Sequence, residues 1–166
     1  MPVRPMISCL CHNQKQHING ASGEGYMLTE EERMKLAEKW MEVAPKGFKV
    51  IVHVGSCAPP IARHGKIVSS CPCSISNFPS LYKQVIVHVG STCVKTSRNL
   101  AAHAQEIGAW GIGAMATPFP KIGRVEELVK YCEEIACGAP QLPFYYYHIP
   151  AFNNAYLSMV GNYKSH

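Results

Sequence analysis

Seven residues occur twice in this chain, thirty-five positions apart: Val50 to Ser56 and Val85 to Ser91 both read V-I-V-H-V-G-S. The motif is β-branched and mostly apolar on both sides, which suits a parallel strand covered on each face. The two copies lead into unlike segments. After Ser91 the positions Leu100, Ala101, Ala104 and Ile107 recur at helical spacing over Ser97 to Ile107, and Gly108 supplies a stop. After Ser56 comes Cys57 to Lys83, rich in Ser, Pro and Cys and without a helical period. A true repeat protein duplicates the whole packing unit, because neighbouring units bury each other's faces. Here only the strand is duplicated. The expectation is therefore that one copy fills the strand slot, while residues 57–84 with the other copy form an irregular insertion displaced from the core.

The rest of the chain alternates strand and helix. Residues 1–16 show neither period 2 nor period 3.6 and read as an irregular lead-in. Order is expected from His17-Ile18-Asn19, then the turn Gly20-Ala21-Ser22-Gly23-Glu24-Gly25. Thr29 and Glu32 form a capping box ahead of Leu36, Ala37, Trp40 and Met41, and Pro45-Lys46-Gly47 ends that helix. Trp110 to Ala116 reads as a small-residue strand, and Val125, Leu128, Val129, Cys132 and Ile135 as a helix closed by Gly138-Ala139-Pro140. Phe144 to Ile149 reads as the last strand. Short loops between such elements predict βαβ units, an α/β fold and a parallel sheet.

Composition excludes several classes of function. The 166 residues supply one domain's worth of chain, 47% apolar and 16% charged, which is globular rather than disordered. The net charge of +5 comes from scattered lysines and arginines, with no basic run suited to nucleic acid or a membrane surface. No apolar stretch approaches the roughly 20 residues that span a bilayer. Met1 to Cys11 lacks the pattern of a secretory leader, so a cytoplasmic address is expected. The eight cysteines show no disulfide framework spacing and read as free thiols. Cys71-Pro72-Cys73 and Cys9-Leu10-Cys11-His12 lack the two-residue spacer of a structural zinc site, and no metal is expected.

Two segments carry chemistry. The glycine-rich Asn19 to Gly25 lies between a strand and a helix, where backbone N–H groups can hold an anion and Ser22 adds a hydroxyl. Its glycine spacing fits neither a dinucleotide fingerprint nor a Walker loop. Pro143-Phe144-Tyr145-Tyr146-Tyr147-His148-Ile149-Pro150 is a strand that ends in polar aromatic groups, where barrel enzymes place catalytic residues. Taken alone, consecutive tyrosines read as packing residues, and His53 and His88 as satisfied core or rim histidines.

Taken together, G-x-S-G-E-G, then V-I-V-H-V-G, then A-x-H-A-x-E-I-G-A, then F-Y-Y-Y-H-I-P-A resemble the N-terminal half of the N-acetylneuraminate lyase family of pyruvate-dependent aldolases. The resemblance covers residues 17–54 and 85–151. Dihydrodipicolinate synthases typically have Gly-Arg after the last proline of this segment; Ala151-Phe152 here is more similar to the sialic acid branch. The resemblance implies a partial (β/α)8 barrel, about strands 2 to 5 with their helices and a duplicated strand. It also implies a tetrameric enzyme that cleaves N-acetylneuraminate to N-acetylmannosamine and pyruvate through a lysine Schiff base, with no cofactor and no metal.

By the same resemblance, Ala21 and Ser22 bind the pyruvate carboxylate and Tyr147 shuttles protons at the aldol bond. Two departures matter. The family usually has a hydroxyl where Ala21 stands, and no lysine of this chain matches the Schiff-base lysine, Lys164 falling too early. Residues 152–166 are expected to be a tail unlike the family. Without the amine the carbanion left by cleavage has no electron sink. The chain is therefore expected to be inactive alone and to associate with itself or with intact lyase subunits, since a partial barrel leaves sheet edges open. The alternatives are a non-catalytic partner of lyase subunits and, last, a Cys-rich zinc or redox module.

Overall fold

The computed structural model describes residues 15–45, 48–56 and 84–157. Its elements run β1 (Lys15–Ile18), two 3-10 turns (Ala21–Gly23 and Gly25–Met27), α1 (Glu30–Val43), β2 (Lys49–His53), β3 (Gln84–His88), α2 (Val94–Glu106), β4 (Gly111–Ala114), α3 (Val125–Ala136), β5 (Phe144–Tyr146) and α4 (Pro150–Asn153). The five strands form one sheet whose spatial order is the chain order, every neighbouring pair parallel. A doubly wound sheet reverses its order at a switch point and carries helices on both faces. Here nothing reverses, and the main helices cover one face, as in the wall of a (β/α)8 barrel.

That covered face is the main core. Val50, Val52, Val54, Val85, Val87, Val89, Ile112 and Ala114 are buried against Ala37 of α1, Leu100, Ala101 and Ala104 of α2, and Leu128, Tyr131 and Ile135 of α3. Because side chains alternate across a strand, the intervening residues point the other way. On that inner face Ile51, Ile86 and Tyr145 form a separate small cluster.

Both copies of the repeated heptapeptide are in the sheet. Val50 pairs with Val85, Ile51 with Ile86, Val52 with Val87 and His53 with His88, so each residue lies beside its own duplicate. The expectation that one copy is displaced is overturned. The physical reason is simple: a parallel strand offers equivalent hydrogen-bonding edges to both neighbours, so an apolar strand can pair with its own copy. Of the expected insertion at 57–84, Gln84 opens β3 and the remainder lies outside the described residues. The helix layer shows the consequence. α1 packs over both β2 and β3, and Glu38 Oε1 lies 2.9 Å from His103 Nε2, tying α1 directly to α2.

The local predictions hold with shifted ends. Thr29 caps α1 with the reciprocal Glu32 box: Glu32 N–H donates to Thr29 Oγ1 at 3.2 Å and Thr29 N–H to Glu32 Oε2 at 2.8 Å. α2 begins at Val94, three residues earlier than expected, because Val94 is the one apolar residue of its first turn. β1 takes in Lys15 and Gln16, two residues inside the expected lead-in. β5 stops at Tyr146, although Tyr147 N–H still donates to Ala114 O at 2.8 Å.

If both copies are structural, Val52→Ala and Val87→Ala each lower stability by about 2 kcal/mol, from two lost methylenes and a residual cavity. Urea unfolding of the two variants checks this. A silent Val52→Ala would return the first copy to the periphery.

Candidate active site

In a parallel sheet every strand delivers its following loop to the same edge, and that edge collects the sequence-predicted residues here. After β1, Asn19 and Glu24 both adopt left-handed backbone conformations (φ 58° and 52°) on either side of the first 3-10 turn. Gly20 O accepts from Gly23 N–H at 3.0 Å and from Gly25 N–H at 3.4 Å. Gly25 is required sterically, since a Cβ there would lie 2.0 Å from Asn19 O. The turn's hydrogen-bonded donors begin at Gly23, and the N–H groups of Ala21 and Ser22 come before it. Both residues are exposed.

Arg33 holds this turn in place. It is only 6% exposed; its Nε donates to Val54 O at 2.8 Å, and its Nη1 donates to Leu28 O and, at 3.4 Å, to Gly25 O. One guanidinium therefore joins the loop after β1 to the end of β2. Sequence patterning does not reveal this role, because Glu30-Glu31-Glu32-Arg33 reads as the solvated first turn of a helix.

The inner face below that edge holds a cavity lined by His17, His53, His88 and Tyr147, with Ile51, Ile86, Tyr145, Tyr146 and Gly113 completing the wall. Small residues make room for it. Gly111 lets Tyr145 lie across β4, where a Cβ would sit 2.6 Å from the tyrosine ring, and Trp110 stacks on the same ring at 5.5 Å. Four rings close a circuit: His17–His53 at 5.8 Å, His53–His88 stacked at 4.3 Å, His88–Tyr147 edge-on at 6.4 Å, and Tyr147–His17 at 6.1 Å. Tyr147, the expected proton shuttle, thus lines the cavity. Ala21 and Ser22 do not; the link is Gly20, whose Cβ position lies 3.7 Å from His53 Cδ2 and 3.8 Å from its Nε2.

The histidines depart from expectation. His88 is buried, at 3% exposure, yet neither ring nitrogen has a hydrogen-bond partner, so it is no satisfied core histidine. Burial, reinforced by the charges of His53 and His17, drives its pKa well below the ordinary imidazole value. Burial and then His17 bring His53 down to about 4. Burial also raises Tyr145, and raises Tyr146 to about 12. Among the described residues no Asp, Glu, Lys or Arg lines the cavity.

Among the described residues no three His, Cys, Asp or Glu side chains are arranged to hold a metal ion. Cys93, Cys132 and Cys137 are free thiols; Cys71-Pro72-Cys73 and the Cys9 to His12 stretch lie outside the described residues. No helix among the described residues is long and apolar enough to cross a membrane.

The geometry agrees with the relatives the chain finds. Residues 83–161 match the dihydrodipicolinate synthetase family model, a match that runs ten residues past Ala151, where the sequence resemblance stops. The chain is 37% identical to N-acetylneuraminate lyase A of Xenopus laevis over 142 residues, covering 82% of this chain and 35% of that protein. It is 37% identical to the Homo sapiens N-acetylneuraminate lyase over 134 residues, 81% of this chain and 31% of that one. The chain thus spans about a third of the length of these curated relatives. Two solved structures share its fold. The Proteus mirabilis N-acetylneuraminate lyase has a TM-score of 0.59 at 24% identity, covering 86% of this chain and 36% of its own. The Aliivibrio salmonicida enzyme has 0.53 at 26%, covering 80% and 32%.

The imidazoles set a pH dependence. His53 binds a proton more weakly folded, at about 4, than an unfolded imidazole at about 6.5, so below 6.5 the unfolded chain takes up protons first. Stability is therefore fullest above pH 6.5 and falls toward pH 4. Urea midpoints at pH 7.5 and 5 check this, and His53→Gln should flatten the fall. An unchanged midpoint at pH 5 would contradict the burial of these rings.

Proposed function

The chain belongs to the dihydrodipicolinate synthetase family and is similar to its N-acetylneuraminate lyases, and from that premise we propose that it carries the 2-oxo acid recognition half of a sialic acid aldolase site. The activity of the parent type is cleavage of N-acetylneuraminate to N-acetylmannosamine and pyruvate through a lysine Schiff base. The observation that carries the proposal is that the Ala21–Ser22 turn and Tyr147 emerge at one edge of one parallel sheet, bridged by Gly20 and the imidazoles.

Each residue has a chemical task. Backbone N–H groups of Ala21 and Ser22, with the Ser22 hydroxyl, converge on the pyruvate carboxylate, because an anion is best held by several aligned donors. Ala21 contributes only its backbone. Tyr147 exchanges a proton with the hydroxyl at the breaking carbon–carbon bond, a step that needs a positioned acid–base group. The amine is the missing part: Lys35, Lys39, Lys49, Lys95, Lys121 and Lys130 are all exposed, and no lysine lines the cavity among the described residues. The described residues therefore bind a 2-oxo acid without a lysine placed to form an iminium with it. The reaction needs no metal or organic cofactor, and the setting is cytoplasmic.

The second role is that of a non-catalytic partner. Among the described residues both sheet edges, β1 and β5, are open along their backbones, which favours pairing with itself or with intact lyase subunits, in the manner of a tetrameric family. Co-elution with full-length lyase tests it. A Cys-rich zinc or redox module has least support, given the free thiols at Cys93, Cys132 and Cys137.

Pyruvate should bind the folded chain, measured by ligand-observed NMR, and Ser22→Ala should weaken that binding roughly tenfold, the size of one hydrogen bond to a charged group. Borohydride reduction with pyruvate should add no mass, beside a full-length lyase control that traps it. A reduced adduct mapped to one lysine would overturn the inactive assignment, and absence of pyruvate binding would overturn the recognition role.

A further inference from the structure

The duplication has placed a second imidazole where a single-copy strand would supply one. His53 and His88 occupy equivalent positions in identical strands, are direct register partners and stack at 4.3 Å. They face the same cavity as Tyr147, and His53 lies against Gly20, the residue that leads into the Ala21–Ser22 turn. His88 is buried with no protein partner for either ring nitrogen, an arrangement that costs free energy unless water or a ligand supplies the missing contact.

The groups around the pair define what that ligand can be. β1 contributes His17, β5 contributes the rings of Tyr145 and Tyr147 while Tyr146 turns its ring to the helix-covered core, and β4 contributes only Gly113. All the side-chain hydrogen-bonding groups there are imidazoles and phenols. Among the described residues no lining carboxylate compensates a protonated ring, and no lysine or arginine competes for an anion. A small anion that entered would be the sole counter-charge to an imidazolium in a largely apolar enclosure, where such a pairing is strong.

We propose that the stacked pair His53–His88 is a carboxylate-recognition element that shares one small 2-oxo acid with the Ala21–Ser22 turn and takes up a proton from solvent as the acid binds. The inference rests on the recognition role proposed above and adds to it the pH-dependence of binding. Without ligand the stacked rings stay neutral, as two adjacent imidazolium charges would repel. With a carboxylate at its edge, one ring gains a hydrogen-bonded counter-ion and holds a proton it would otherwise release. By linkage, affinity then rises as pH falls, approaching tenfold per pH unit where one full proton is taken up.

The test is a titration of the full 166-residue chain with sodium pyruvate at pH 7, 6 and 5, each point checked by circular dichroism for the native fold. Isothermal calorimetry in two buffers of different ionisation enthalpy counts protons, and the imidazole carbon-bound proton signals are followed by NMR in parallel. The expected result is tighter binding at pH 5 than at pH 7 by at least tenfold, net proton uptake, and pyruvate-dependent shifts of two imidazole signals. His53→Gln and His88→Gln should remove the uptake, while Ser22→Ala weakens binding at every pH and leaves the uptake in place. Pyruvate binding with the same affinity at all three pH values and no proton uptake overturns this inference and leaves the recognition role standing. No pyruvate binding by the folded chain at any pH overturns both. The NMR readout on the unsubstituted chain decides the matter even where a glutamine variant fails to fold.

Discussion

The functional edge of this sheet depends on capturing the carbonyls that leave the strands. Arg33 Nε donates to Val54 O after β2, Tyr131 OH to Ser91 O at 2.9 Å after β3, and Asn153 Nδ2 to Ala116 O at 3.1 Å after β4. All three donors belong to buried residues of helices α1, α3 and α4. A strand's carbonyls are satisfied only while a neighbour pairs with them, so the first ones beyond the ladder need another donor or water. Supplying that donor from a helix does two things at once. It satisfies a buried acceptor, and it fixes the height and direction at which each loop departs. Arg33 extends the same service to Gly25 O and Leu28 O, so the glycine-rich turn is registered against β2 rather than left to its own hydrogen bonds.

The duplicated strand shows what this scaffold tolerates and what it gains. An added strand without a described helix of its own leaves the helix layer to cover more sheet, which α1 does by lying over β2 and β3 and by the Glu38–His103 contact with α2. The covered face accommodates the change because the valines of the two copies are identical in size and burial. The inner face is altered chemically instead. Where one histidine would point inward there are now two, forced to stack because register places them side by side. Duplication of a packing motif has thus produced a duplicated polar group on a largely apolar face.

Features that depend on near neighbours were legible in the sequence. The Thr29–Glu32 box, the 3.6-residue spacing of α3 and the both-faces-apolar strands follow from local chemistry and are found as expected. The strand leading to Tyr147 was legible too, and Tyr147 lines the cavity, whereas Ala21 and Ser22 lie outside its wall. Features that depend on distant partners were not. Arg33 sits in a run of glutamates that reads as solvent-facing, and only Val54, Gly25 and Leu28 reveal its burial. The unpartnered state of His88 could not be anticipated while one strand copy was expected outside the sheet, since its stacking partner is that copy.

Position 21 illustrates how scaffold and side-chain chemistry separate in this turn. The turn's shape is set by Asn19 and Glu24 in left-handed conformations, by the two N–H bonds to Gly20 O, and by the absence of a side chain at Gly25. None of these involves the side chain at position 21. The side chain at that position can therefore vary while the backbone N–H groups keep their positions. The imidazole pair lies on strands that do not depend on the turn for their pairing, so its polarity can change without disturbing Ser22. A site assembled from a turn, a strand pair and a post-strand tyrosine can therefore lose or gain individual polar groups while its frame persists, and here the frame is held by Arg33, Tyr131 and Asn153, which are absent from the cavity wall.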